Sequence, residues 1–180
     1  NVSRLSPDAQ RIATVIDTGI PQIWVLELAR GTLTRLTFQE TTVNVPVWTP
    51  DGTHVAFDSA RGMYGQVADG SAPAQQLTES AYAQVPWSWS PDGQTVAFVE
   101  RGDLWTLDVR NQGAPRPFLQ TSYSESHPVF SPDGRWLAYV SDESGRREVY
   151  VRSYPGSGPR YLVSTNGGDD PMWDIFLDKS

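Results

Sequence analysis

Two histidines, His54 and His127, and no cysteine stand among the 180 residues, which narrows the covalent chemistry open to this chain. A serine nucleophile would need one of those two imidazoles as its base. Composition excludes thiol catalysis, disulfides and thiolate metal sites. The sequence contains no Gly-x-Ser-x-Gly turn to expose a hydrolase serine, no His-x-x-x-His ligand pair and no acidic calcium loop. His127 is the more interesting imidazole, because it follows Glu125 and precedes Pro128 at the entrance to a strand, whereas His54 falls at an outward, variable position. A site needs several convergent groups, and this pattern supplies too few. The expectation is no catalytic residue, no metal ligand set and no cofactor.

Asp51, Asp92 and Asp133 recur at equal spacing and could be taken for a ring of carboxylates. Their neighbours explain them otherwise. Each is third in a four-residue turn: Thr49-Pro50-Asp51-Gly52, Ser90-Pro91-Asp92-Gly93 and Ser131-Pro132-Asp133-Gly134, with a degenerate copy at Ser6-Pro7-Asp8-Ala9. Proline presets φ at the second position, aspartate bonds the local backbone at the third, and glycine accepts the left-handed conformation at the fourth. If that fourth residue has positive φ, Ala9 costs on the order of 1 kcal/mol. The turns begin at 6, 49, 90 and 131, and a period near 40 marks a repeat architecture.

Each turn leads into a short apolar run: Ile12-Ala13-Thr14-Val15, Val55-Ala56-Phe57, Val96-Ala97-Phe98-Val99 and Leu137-Ala138-Tyr139-Val140. The recurrent alanine predicts close approach between neighbouring sheets. A third strand follows, as in Asp103-Leu104-Trp105-Thr106-Leu107, then a fourth around Arg35-Leu36-Thr37 or Gln76-Leu77-Thr78. Every repeat is therefore four antiparallel strands, with boundaries near 1–40, 41–81, 82–122 and 123–166. A fifth copy starts over 167–180, where Pro171-Met172-Trp173 matches Pro46-Val47-Trp48. One small sheet cannot bury both faces, but radial stacking can. The predicted fold is all-β, a single β-propeller of about four four-stranded blades plus one extra C-terminal strand, forming a partial ring or one completed by a second copy. Trp24, Trp48, Trp89, Trp105, Trp136 and Trp173 are read as blade packing.

The net charge of −7 argues against a nucleic-acid surface, which needs a basic footprint. No apolar run reaches the roughly 18 to 20 residues of a membrane span.

Four copies of Ser/Thr-Pro-Asp-Gly in register with Val-Ala-Phe runs and Leu-Thr endings resemble the WD40-like repeat, PD40, of TolB-type β-propellers. The repeat is also similar to those of Tricorn-type and prolyl-oligopeptidase-type proteins and of extracytoplasmic regions of bacterial Ser/Thr kinases. The resemblance implies a non-catalytic scaffold that binds a protein or peptide, in a periplasmic or other extracytoplasmic setting. Its alternatives are the propeller portion of a larger peptidase and the sensor domain of a kinase. Binding sites of propellers usually lie on the loops before each first strand and between the second and third strands. There the candidates are Glu79, Tyr82, Arg101, Tyr123, Glu125, His127, Arg146 and Asp170. Open blade edges would favour a homodimer.

Overall fold

The computed structural model describes residues 2–111, 113–156 and 158–173. Among them the regular elements are strands, in four sets of four. The first sheet holds β1 (Ser3–Leu5), β2 (Arg11–Asp17), β3 (Pro21–Glu27) and β4 (Thr32–Arg35). The second holds β5 (Asn44–Trp48), β6 (His54–Ser59), β7 (Gly62–Val67) and β8 (Gln75–Gln76). The third holds β9 (Gln84–Trp89), β10 (Thr95–Glu100), β11 (Asp103–Asp108) and β12 (Arg116–Leu119). The fourth holds β13 (Glu125–Phe130), β14 (Trp136–Ser141), β15 (Glu148–Ser153) and β16 (Arg160–Leu162). Strand order in each sheet follows chain order, as short hairpin connections require. The chain falls into two compact units, Asn1–Pro86 and Trp87–Ser180.

The repeated turn uses the same hydrogen bonds each time. Ser131 Oγ donates to Asp133 Oδ1 at 2.6 Å, that carboxylate accepts the Arg135 amide at 3.0 Å, and the Trp136 amide donates back to Ser131 Oγ. Equivalent bonds tie Ser6 to Asp8, Thr49 to Asp51 and Ser90 to Asp92. The hydroxyl of Ser131, with the Arg135 amide and guanidinium, holds the Asp133 carboxyl down at about 2. These carboxylates are turn components. The fourth turn residue does lie in the left-handed region, with φ of 56° at Ala9, 67° at Gly52 and Gly93, and 70° at Gly134.

The Leu-Thr endings also have a defined task. Thr37 Oγ1 accepts the Ile23 amide and donates to Gln22 Oε1, both at 2.9 Å, so the outer strand is latched to its neighbour. Thr78 repeats this with the Met63 amide and Gln84, and Ser164 with the Val149 amide and Glu148. Gln22, wholly buried, is satisfied by further bonds to the backbone of Gln39 and Thr41.

In the first unit, Ala13, Val15, Ile23, Val25, Val43, Trp48, Val55 and Phe57 form one apolar core. Trp48 Nε1 donates to the Arg4 carbonyl at 3.0 Å, joining β5 to β1, while Arg11 reaches the Gly52 carbonyl and lies over the Trp48 ring. In the second unit, Ala97, Phe130 and Leu137 form one cluster, and Leu104, Tyr139 and Tyr150 another. Ser88 Oγ donates to the Pro128 carbonyl and accepts the Phe130 amide, linking β9 to β13. The recurrent alanines Ala13, Ala56, Ala97 and Ala138 are all buried, as close packing of sheets demands.

The expected fifth copy lies partly outside the described residues, from 174 to 180. Within the described part, 167–173 form no strand. Even so, Trp173 Nε1 donates to the Val129 carbonyl at 3.0 Å, the same bond that Trp48 makes to Arg4 at the same place in the repeat.

Candidate binding site

The residue before the inner-strand proline has positive φ in three repeats: 40° at Val45, 55° at His127 and 50° at Asp170. A residue preceding proline normally prefers extended backbone, so this conformation must be imposed by its surroundings. In β5 and β13 the strand register shifts across this point, between Asn44 and Val47 and between Ser126 and Val129. The bulge turns the His127 side chain out of the ordinary pleat alternation.

Three other chain segments of the second unit converge on His127. From β9, the Trp87 ring lies 4.0 Å from the imidazole between centroids, tilted by 45°. From the segment after β16, Asp170 Oδ1 lies 3.1 Å from Nε2 and Asp169 Oδ1 lies 3.8 Å from Nδ1. From the β14–β15 connection, Arg147 Nη2 donates to Asp169 Oδ1 at 2.7 Å, contacts His127 Nδ1 at 3.3 Å and donates to Ser126 Oγ at 3.2 Å. The Arg147 guanidinium holds the Asp169 carboxyl below its ordinary range. Asp170 beside Nε2 suits an imidazole that donates at that nitrogen. His127, Asp169 and Asp170 place one ligand-type atom each within 4.8 Å of one another, the composition of a metal ligand set. A divalent ion entering there would have to displace the guanidinium of Arg147.

The other expected residues are distributed as follows. Arg101 and Tyr123 line a shallow depression of about 470 Å³ with Gly102, Ser122, Ser124, Asp142 and Gly145. Arg101 itself has φ of 55° in the β10–β11 turn. Arg146 is exposed, but its Nε donates to Glu148 Oε1 at 2.7 Å, a structural bond. Glu125 is only 1% exposed and accepts Thr121 Oγ1 at 2.6 Å, and burial raises its pKa. It supports the start of β13 from within. Glu79 and the half-exposed Tyr82 lie in the first unit, after β8. Trp87 and Arg147 complete the cluster at His127. The only sequence sign of Trp87 is its proline, Pro86, standing one place earlier than Pro46 and Pro128 do relative to their strand ends.

Four sheets in chain order, built on one repeated turn, define a repeat-built β-propeller protein with a polar and aromatic cluster at an inner-strand bulge. Residues 2–177 match the model of the PD40 family, the TolB β-propeller domain, and the chain belongs to that family. Similar solved structures agree in fold. A protein assigned as TolB from Agrobacterium tumefaciens superposes with a TM-score of 0.77 at 20% identity, covering 91% of this chain and 61% of its own. TolB from Acinetobacter baumannii gives 0.76 at 21% identity, covering 88% of this chain and 42% of its own. The tricorn protease gives 0.64 at 13% identity, covering 83% of this chain and 17% of its own. The chain thus spans about three fifths or less of these relatives. No helix among the described residues is long and apolar enough to cross a membrane.

Proposed function

We propose that this chain is a non-catalytic scaffold whose His127 face binds a protein or peptide. The observation that carries this reading is the cluster of Trp87, His127, Arg147, Asp169 and Asp170, which offers an aromatic surface, a cation and two anions within one patch. Such a mixture suits the amides and mixed charges of a peptide and not a polyanion, in keeping with the net charge of −7. A displayed random-peptide library panned against the chain tests it. Selected peptides should lose at least about tenfold in affinity on His127→Ala or Arg147→Ala, while the thermal midpoint stays near that of the parent. Failure to select any peptide, or selection indifferent to both substitutions, defeats the reading.

The four repeats are read as parts of one propeller, and the TolB likeness supports an extracytoplasmic setting, which fractionation of the native host would check. A homodimer through open blade edges is supported by β16 and its flank, where Tyr161, Leu162 and Val163 are 53%, 49% and 61% exposed. Mass measurement in solution tests it, and a strictly monomeric species rules it out. The second reading, the propeller portion of a larger peptidase, has the tricorn likeness as its support. It requires a hydrolase serine motif elsewhere in the open reading frame.

A further inference from the structure

The position two residues after the recurrent alanine is Val15 in β2, Val99 in β10 and Val140 in β14, but Asp58 in β6. A carboxylate here breaks the apolar rule of the repeat. Asp58 is 7% exposed, Asn44 Nδ2 donates to its Oδ2 at 3.3 Å, and its buried Oδ1 has no hydrogen-bond partner. Asn44 is itself the cross-strand partner of Asp58. A buried anion with one long hydrogen bond is destabilising unless something else satisfies it.

Asp58 lines a depression of about 580 Å³ that lies wholly within the first unit. Its polar wall includes Thr41, Thr42 and Ser59, with Glu40 exposed at the rim, and its apolar wall includes Ile20 and Ala60. Two carboxylates face this space and, among the described residues, no lysine, arginine or histidine lines it. We propose that this depression binds a primary ammonium on a short aliphatic chain, with Asp58 as its counter-ion and Glu40 at the mouth.

The chemistry selects among cations. Asn44 holds one oxygen of Asp58, which leaves a single acceptor: enough for the point charge of an ammonium, too little for the two-pronged grip of a guanidinium. Two carboxylates fall short of the three-member ligand group found elsewhere at His127, which disfavours a divalent ion. Thr41 Oγ1 and Ser59 Oγ already bond each other at 2.8 Å and Ser59 Oγ donates to the Thr42 carbonyl at 3.4 Å, so the remaining ammonium protons meet the second lone pairs of these oxygens, and the alkyl chain matches Ile20 and Ala60. Oδ1 is itself enclosed, so a partial turn about χ2, a soft torsion, is what presents it to the depression and the ligand. The site shares no residue with the His127 face and does not depend on it.

The test is calorimetric titration of the whole chain with 1,5-diaminopentane, with N-acetyl-lysine amide, and with 1,5-pentanediol as the uncharged control. Asp58→Val and Asp58→Asn are the variants. Saturable binding of either amine, at least about tenfold weaker in both variants and absent for the diol, supports the proposal. Binding of the diamine alone points to a free amine, and binding of the lysine amide alone to a peptide side chain. Asp58→Val installs the residue the sister blades carry, so a thermal midpoint that is retained or raised shows that lost binding is not lost folding. No saturable amine binding, equal binding by Asp58→Val, or Asp58-dependent binding of calcium instead of the amines overturns it.

Discussion

Replacing Ala9 by glycine should stabilise the protein. Ala9 holds φ of 56° where three sister turns place glycine at 67° to 70°. An L residue with a Cβ loses about 1–2 kcal/mol in that region. Glycine returns roughly 0.5–1 kcal/mol of this through the greater freedom of its unfolded chain. The net gain is about 0.5–1 kcal/mol, a rise in thermal midpoint of roughly 2–4 °C at the upper end for a chain of this size. The reciprocal change, Gly134→Ala, carries the same backbone cost and adds a contact, because its Cβ would lie 3.3 Å from the ring of Pro91 in the neighbouring turn. That contact is tight and the proline is stiff, so the loss should reach about 1–2 kcal/mol. Urea unfolding, read as a change in midpoint at constant slope, measures both. If Ala9→Gly is neutral or destabilising while Gly134→Ala costs nothing, the turns do not impose the left-handed conformation and the reading of the repeat is wrong.

Asp58→Val should gain about 1–3 kcal/mol at neutral pH by removing a poorly paired buried carboxylate. Burial raises the Asp58 pKa above 3.8, so the folded state holds the proton more tightly than the unfolded one. The parent therefore loses stability as pH rises through the native value, and the advantage of the variant opens upward from about pH 4 and shrinks below it; urea midpoints across that range would show it. Glu125→Gln should flatten the corresponding fall for Glu125, whose pKa is also raised by burial, seen as a smaller loss of midpoint with rising pH. Trp48→Phe removes part of a buried ring as well as the indole donor to the Arg4 carbonyl, and should cost about 1–3 kcal/mol in chemical denaturation.

The scaffold was legible because its determinants are local. Pro132, Asp133 and Gly134 act on backbone within a few residues, and their recurrence gives the strand count directly. Ala97 and Ala138 reveal sheet packing because one small residue recurs at one place. The site was less legible, since it is assembled from segments distant in sequence: Trp87, His127, Arg147 and Asp169 meet only after the sheets have packed. Glu125 illustrates the loss. Its type and its place before an inner strand suggest a binding loop, but the strand begins at that residue and carries it inside, where Thr121 and Ser141 hold it. Asp58 is the opposite case: comparison with Val15, Val99 and Val140 marks it as an exception, but only its burial and its partnerless oxygen give the exception meaning.

Nitrogen-15 NMR of the chain titrated with a library-selected peptide tests the binding face most directly. The account predicts that the amides of Ser126, His127, Asp169 and Asp170 and the indole of Trp87 shift together and saturate, and that Arg147→Ala abolishes those shifts at the same peptide concentration. Shifts confined to other residues, or undiminished in Arg147→Ala, would contradict it.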